Sequence, residues 1–528
     1  MFPDDRRSSK RFTPGVRGLT WPRWSLLMSS NPFPRRPIIV AIGSLACLGA
    51  PTAADLPPSG GIMPPEPVEG ATFGNRLDLE GEWLAIGADR DAHIGEPGTV
   101  HVYRRDGDDW NHHQSLVAPD AVAGDHFGLP VVIREDVMLV GAPGDDDLGF
   151  WSGSAYVFRL MDETWTYEAK LRPPVAENPN ALFGLSMCFG RSADEIVVGA
   201  YLESIENDAE GGVWIFHRDA GAWVARQRLG LPGPQVAAYF GRSVAVEGDL
   251  LAIGASGLVS AVGFRHGGVA LHRPVGDLWV LDTMLMPVQP EPYQVFGEWL
   301  DLAGDTLVVG APFEDAFGID AGAVHAYRIV DGQPWFDRRI GPEGVDGARG
   351  FGFPCVLSTD GTRLYAGAYA TDVDGHAEAG SGWILERDDL DWGPAVRLRP
   401  EEPETQAFFG IGAAIDADRI LVSAPRADTD GLDAGAVFDF PLPDCDGNGR
   451  IDAAEILAGG IGDSDGDGIP DACEPLGGDF DGDGVVDGVD LGRFNSLWGT
   501  DGSDGGDFNG DGIVDGGDLA ILLGNWAH

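Results

Sequence analysis

Phe240-Gly-Arg-Ser-Val-Ala-Val-Glu-Gly-Asp-Leu-Leu-Ala-Ile-Gly254 is the stretch from which the fold can be read. It holds two short apolar strands, the first opened by Phe-Gly and the second closing on Ile-Gly-Ala. Phe-Gly recurs at Phe73-Gly74, Phe127-Gly128, Phe183-Gly184, Phe240-Gly241, Phe296-Gly297, Phe351-Gly352 and Phe409-Gly410, at intervals of 54 to 58 residues. The second mark follows each time: Ala-Ile-Gly-Ala at 85–88, Val-Gly-Ala-Pro at 140–143 and 309–312, Val-Ser-Ala-Pro at 422–425. A Gly-x-Val strand comes next, as in Gly98-Thr-Val-His-Val-Tyr-Arg104 and Gly322-Ala-Val-His-Ala-Tyr-Arg328. A tryptophan often follows it (Trp110, Trp165, Trp223, Trp279, Trp335, Trp392), then a run ending in proline.

Each unit therefore reads as four short strands. Four strands per repeat of about 50 residues, repeated seven times, specify an all-β, seven-bladed β-propeller over residues 55–440. The recurrent glycines are expected where inner strands crowd around an axis. Gly435-Ala-Val-Phe-Asp-Phe440 supplies a third strand to the last unit, but Pro441-Leu-Pro443 leaves it without a fourth. Residues 55–72 look like the tail of a unit lacking its start. They are expected to complete the seventh blade.

The 528-residue chain has 35 Lys+Arg against 84 Asp+Glu, a net charge of −49. That balance argues against nucleic acid or an anionic membrane as partner and favours cations, calcium first. Residues 1–40 reverse it, with eight Arg/Lys and two Asp. An apolar run from Ile38 to Gly49 and the sequence Pro51-Thr-Ala-Ala54 then describe a secretory signal peptide. Cleavage is expected after Ala54, Met28 is a credible start, and residues 1–54 form an N-terminal extension outside the mature, secreted protein. The run is too short for a transmembrane helix. Ser44 stands where a lipoprotein signal through Cys47 would want an aliphatic residue. Cys188 and Cys355 read as buried thiols on inner strands. Cys445 and Cys473 occupy equivalent places in two acidic loops, compatible with a disulfide in an oxidising compartment.

From Pro441 onward, 88 residues hold 20 Asp/Glu and two Arg, with the carboxylates in strict spacing. The first loop runs Asp444, Asp446, Asn448, Arg450, Asp452, Glu455 at positions 1, 3, 5, 7, 9 and 12, with Gly449 at position 6. The second offers Asp463, Asp465, Asp467, Ile469, Asp471 and Glu474; the third, Asp479, Asp481, Asp483, Val485, Asp487 and Asp490; the fourth, Asp507, Asn509, Asp511, Ile513, Asp515 and Asp518. This is the EF-hand arrangement, in which position 7 lends its backbone carbonyl and alternate side chains on a curled loop surround Ca2+ with oxygens. Half-saturation is expected at about 10⁻⁴–10⁻³ M, as for extracellular calcium modules.

The seven repeats resemble the FG-GAP propellers of bacterial secreted proteins and of integrin α-subunit heads, over about 73 % of the chain. Integrin-type units carry an Asp-x-Asp-x-Asp-Gly calcium loop between Phe-Gly and Gly-Ala-Pro. The interval is plain here, so propeller calcium is not carried over. Acidic loops such as Asp145-Asp146-Asp147 and Asp428-Thr-Asp430-Gly-Leu-Asp433 read either as cation sites or as solvated turns.

Loops three and four each run into a short amphipathic helix, and this pair (477–528) resembles a type I dockerin. The resemblance implies docking onto a cohesin on a scaffold, often beside polysaccharide-degrading modules. It departs where partner choice is read, since Gly488-Val489 and Gly516-Gly517 replace the usual Ser/Thr pairs. Loops one and two (441–476), without flanking helices and broken at Pro470, resemble thrombospondin type 3 calcium repeats stapled by Cys445–Cys473. No nucleophile elbow, His-Glu-x-x-His or phosphate-binding loop occurs. His112-His113 is the sole histidine pair and is expected in a blade loop. The chain thus reads as a binding or adhesion module for a protein or glycan ligand. The rivals are an extracellular enzyme of polysaccharide breakdown and a structural surface-layer component.

Overall fold

The computed structural model describes residues 55–56, 58–89, 97–175, 177–233, 235–259, 263–342, 347–388, 391–428, 433–445, 447–463, 470, 480, 486–500, 506, 508, 512–524 and 526. Residues 1–54, where the sequence leads one to expect a signal peptide, lie outside them.

Two short strands come first, β1 (Asp55–Leu56) and β2 (Gly60–Ile62). The first blade is β3 (Phe73–Glu80), β4 (Trp83–Ala88), β5 (Thr99–Asp106) and β6 (Asp109–Leu116). The second is β7 (Val131–Arg134), β8 (Val137–Ala142), β9 (Ser154–Met161) and β10 (Thr164–Leu171). The third is β11 (Ser186–Phe189), β12 (Glu195–Ala200), β13 (Gly212–Asp219) and β14 (Ala222–Leu229). The fourth is β15 (Phe240–Glu247), β16 (Leu250–Ala255), β17 (Val269–Val275) and β18 (Leu278–Leu285). The fifth is β19 (Trp299–Ala303), β20 (Thr306–Ala311), β21 (Ala323–Val330) and β22 (Gln333–Ile340). The sixth is β23 (Cys355–Leu357), β24 (Arg363–Ala368), β25 (Ser381–Glu386) and β26 (Val396–Leu398). The seventh has β27 (Ala413–Ile415), β28 (Arg419–Ala424) and β29 (Ala436–Pro441).

Apart from β1 and β2, which join the edges of the sixth and seventh sheets, the strands of every sheet lie in sequence order, so the fold is all-β with seven propeller blades. The second strand of each blade is buried at every residue, because it lies between two others and under neighbouring layers. Fourth strands such as β14 alternate exposed and half-buried residues over most of their length. The hairpin before β22 turns on Asp331 (φ 49°) and Gly332 (φ 75°), the two positive-φ residues of a type I′ turn.

The seventh blade is completed as expected. β2 pairs antiparallel with β29, Gly60 opposite Asp439 and Ile62 opposite Val437. An element not foreseen is β1, which adds a fifth, parallel strand beside β26.

The chain divides into two compact units, one of residues 63–244 with 425–436, the other of 51–62, 245–424 and 437–528. In the first, Trp83, Phe127, Met138, Tyr156 and Trp165 share one apolar cluster. In the second, Phe351, Cys355, Trp383 and Trp392 do so. Cys355 is buried as expected, but Cys188 is only half-buried because alternate residues of β11 face outward.

The glycines sit where the backbones of successive repeats crowd together. Gly322, before β21, has φ +86°, and a Cβ there would lie 2.3 Å from the carbonyl oxygen of Phe351 in the next repeat. A Cβ on Gly310 of β20 would lie 2.1 Å from the oxygen of Gly352. Phe351 N–H donates to Ala321 at 2.9 Å, drawing the two backbones together. The Gly-to-Phe approach recurs at Gly98/Phe127, Gly153/Phe183, Gly211/Phe240, Gly267/Phe296, Gly380/Phe409 and Gly435/Phe73. All three sequence marks thus belong to one seam, where a repeat's backbone meets that of its neighbour and side chains cannot fit.

Three helices are seen among the described residues: α1 (Asp452–Ala458), α2 (Gly488–Leu497) and α3 (Gly516–Gly524). α2 and α3 follow loops three and four and bury Val486, Phe494, Val514 and Leu522 together. α1 corrects the expectation that loop one lacks an exiting helix. Asp452-Ala-Ala-Glu-Ile-Leu-Ala is built of good helix formers and stops at Gly459, whose left-handed φ of 69° caps it. No helix among the described residues is long and apolar enough to cross a membrane.

Candidate functional site: acidic loops of the blades and of the tail

In the second blade, Asp145 is only 4 % exposed although it sits in a loop. The Lys170 ammonium, from β10, donates to Asp145 (2.6 Å), Asp120 (2.7 Å) and Asp147 (2.8 Å). Tyr156 O–H adds a bond to Asp120 at 2.8 Å. Burial alone would lower the Lys170 pKa, but its bonds to the three carboxylates outweigh this and hold it above the usual lysine range. Neither a solvated turn nor an open cation site describes this loop: its cation is a lysine. At Asp428 the described residues show a closed turn, Asp433 N–H donating to its carboxylate at 2.8 Å.

The device recurs. Glu203, 1 % exposed, accepts from Arg228 Nε at 2.7 Å and Trp214 Nε1 at 3.1 Å. Glu314, fully buried, accepts from Arg339 at 2.8 Å and lies 2.6 Å from His325 Nε2. In all three blades the base stands 25 residues after the acid. That constant offset is visible in the sequence and is the signal that identifies these pairs.

A second recurrent carboxylate sits five residues after Phe-Gly. Asp78 accepts from Ile133 N–H at 2.7 Å, and Asp301 accepts from Leu357 N–H at 2.8 Å, each tying its first strand to that of the following repeat. Burial pushes the Asp301 pKa up to about 6, outweighing those amide bonds. A carboxyl raised in the folded state contributes stability below its unfolded pKa near 4 and loses it as pH rises through about 6. Asp301→Asn is therefore expected to gain on the wild type by on the order of 2 kcal/mol between pH 4 and pH 7. Urea titrations of both proteins at the two pH values measure this difference, and a constant difference would refute the assignment.

His112 and His113 lie on β6, a strand and not a loop, because the whole segment Asp109–Leu116 pairs with β5. His113 Nε2 lies 2.7 Å from Glu163 O, while His112 packs edge-on against Tyr103. They do not form a ligand pair.

In the tail, part of each acidic loop is described. Asp446, Asp465, Asp467, Ile469, Asp471, Glu474, Asp479, Asp481, Asp483, Val485, Asp507, Asn509 and Asp511 lie outside the described residues, as does Cys473. Asp463 is described without its loop partners. Cys445 is disulfide-bonded.

In loop one the Asp444 carboxylate accepts from Asn448 N–H (3.0 Å) and Gly449 N–H (2.7 Å), which curls the chain. Asn448 Nδ2 reaches both oxygens of Glu455 at 3.1 and 3.0 Å, so positions 1, 5 and 12 converge. Buried Asp452 accepts from Cys445 N–H at 3.2 Å, while the Arg450 N–H donates to Asn448 Oδ1 at 2.8 Å.

Loops three and four repeat one geometry 28 residues apart. Asp490 accepts from Phe480 N–H (2.7 Å) and Asp487 N–H (2.8 Å). Asp518 accepts from Phe508 N–H and Asp515 N–H, both at 2.8 Å. These position-12 carboxylates are 1 % and 0 % exposed and join the loop's entrance to its exit. Asp487 and Asp515 at position 9 also accept the N–H of Val489 and Gly517 in the first helical turns. Asp490 and Asp518 each place a buried carboxylate at the close of a loop, and carboxylate oxygens are the donors that a hard dication takes. Ile513, at position 7 of loop four, leaves its side chain exposed, as a residue contributing only its carbonyl can.

Two small clefts occur on the blades, of about 140 and 110 Å³. Asp305, Arg328 and Arg387 line the first, Glu206, Glu210 and Arg228 the second, so each pairs carboxylates with arginine. Both fall below the roughly 300 Å³ at which small-molecule sites begin.

The family described as FG-GAP repeat matches residues 110–158, 279–327 and 392–440. Each match starts at a tryptophan on or just before a fourth strand and ends within the third strand of the next blade, so the repeat is offset from the blade. The chain is also 34 % identical over 156 residues to human integrin alpha-11, a match covering 25 % of this chain and 13 % of that protein. Among solved structures, a chain of "Crystal Structure of Mitotic Checkpoint Complex" aligns with a TM-score of 0.43 and 11 % identity, over 78 % of this chain and all of that one.

Proposed function

We propose that this FG-GAP β-propeller is a secreted binding or adhesion module, docked to its surroundings through a C-terminal tail that calcium orders. The observation that carries the calcium part is the duplicated carboxylate geometry of Asp490 and Asp518, each buried between two amides at the close of a loop rich in further oxygens. Asp444, Asn448, the Arg450 carbonyl, Asp452 and Glu455 would hold one ion, and the corresponding residues of the other loops the rest. Calcium supplies the positive charge that lets these carboxylates approach, so that its binding energy becomes folding energy of the tail.

Docking is supported by what the tail leaves uncovered. Val489, Trp498, Ile513, Ile521 and Leu523 are exposed on a small body, the composition of a surface that meets another protein such as a cohesin-like or surface partner. Exposed side chains in blade loops, Phe150 and Ile205 in one unit and Tyr293, Phe317 and Ile319 in the other, support a protein or glycan ligand there.

Calcium titration of the full chain, by calorimetry and far-ultraviolet circular dichroism together, tests the reading. About four ions with Kd on the order of 10⁻⁴–10⁻³ M and a gain of helix are expected. Unchanged helix content in chelator would sink it.

A further inference from the structure

The first acidic loop is not suspended beyond the propeller. Its position-8 residue, Ile451, is fully buried, and its N–H donates to Glu386 Oε2 at 2.9 Å. Glu386 ends β25, and its other oxygen accepts from Arg363 Nε, at the start of β24, at 2.9 Å. Arg363 then reaches the loop's position-6 carbonyl, Gly449 O, at 3.3 Å, and also bonds Ala417 O in the seventh blade. Arg363 and Glu386 are 9 % and 6 % exposed, and α1 packs against β26 beside them. In loops three and four the position-8 residues, Val486 and Val514, are instead held by the tail itself: Val486 bridges Trp526, and Val514 bonds Gly499 and Thr500.

We infer that Arg363 and Glu386 are positioning residues for a calcium ion in loop one, the buried pair of the sixth blade taking the place that tail residues take in loops three and four. This rests on the calcium reading above. The physical reason is linkage. An ion held by positions 1, 3, 5, 7, 9 and 12 fixes the backbone at positions 6 and 8, and that backbone is what Arg363 and Glu386 grip. Whatever stabilises one arrangement must stabilise the other by the same factor. Calcium would then tighten the sixth blade as well as the tail.

Calcium titration and hydrogen exchange on full-length variants test the inference. Glu386→Gln weakens the grip from the blade side. Ile451→Pro removes the loop's N–H while leaving Arg363–Glu386 intact, and the φ of −76° at Ile451 suits proline. Both are expected to weaken one ion by about tenfold and leave the others unchanged. In the wild type, calcium is expected to slow amide exchange in 363–368 and 381–386, and Asp444→Ala to abolish that slowing while the tail's other ions still bind. A structural role alone would lower stability without selecting one ion. If Ile451→Pro leaves all affinities unchanged, or blade exchange ignores calcium while ions bind, the coupling is wrong. If the full chain binds no calcium, the functional reading itself falls, and the coupling with it.

Discussion

Gly322→Ala is expected to destabilise the protein by at least about 3 kcal/mol, seen as a lowered urea midpoint and a lowered Tm. Two costs combine. Alanine at φ +86° loses roughly 1–2 kcal/mol to left-handed strain. Its Cβ, 2.3 Å from Phe351 O, must also push apart the backbones of two repeats, and no flexible side chain can yield there. Gly107→Ala is the control: φ is +65°, yet nothing lies within 4 Å of the new Cβ. It should cost only about 1 kcal/mol. Equal losses in the two variants would show that the seam tolerates a methyl group and that conformational strain alone keeps these glycines.

Lys170→Met is expected to cost about 3–5 kcal/mol at pH 7, because Asp145 would remain buried beside Asp120 and Asp147 without the ammonium that joins them. The deficit should shrink as pH falls below about 4, where the unpaired carboxylates protonate. Lys170→Arg keeps the charge and should recover much of the loss, short of full recovery because a planar fork replaces three bonds radiating from one nitrogen. Urea titrations of the three proteins at pH 7 and pH 4 separate these effects. A Lys170→Met variant as stable as the wild type at pH 7 would show that the acidic loop is held by its backbone alone.

Phe-Gly, Gly-Ala and Gly-x-Val announced strands because apolar runs and glycine positions act locally. The strand missing after Phe440 pointed to residues 55–72, and β2 is the strand that fills the gap. β1 was invisible, since two residues carry no periodicity and gain their place only from the free edge of β26. The helix after loop one is not legible in the sequence because its seven residues are too few to form a helix without packing, and β26 provides that packing. The acid-to-base interval of 25 residues was present in three repeats but meant nothing until the fourth strand was seen to return beside the loop it neutralises.

The number of blades, the order of their strands, the source of the seventh blade's last strand and the spacing of the tail's oxygens are all legible along the chain. All of these follow from periods that a chain carries along its own length. The close approaches that require the glycines, the pairing of buried acids with bases, and the grip of Arg363 and Glu386 on loop one emerge from packing in three dimensions. Those depend on distances between segments tens of residues apart, and a carboxylate's burial is a property of what packs over it, which no local pattern records.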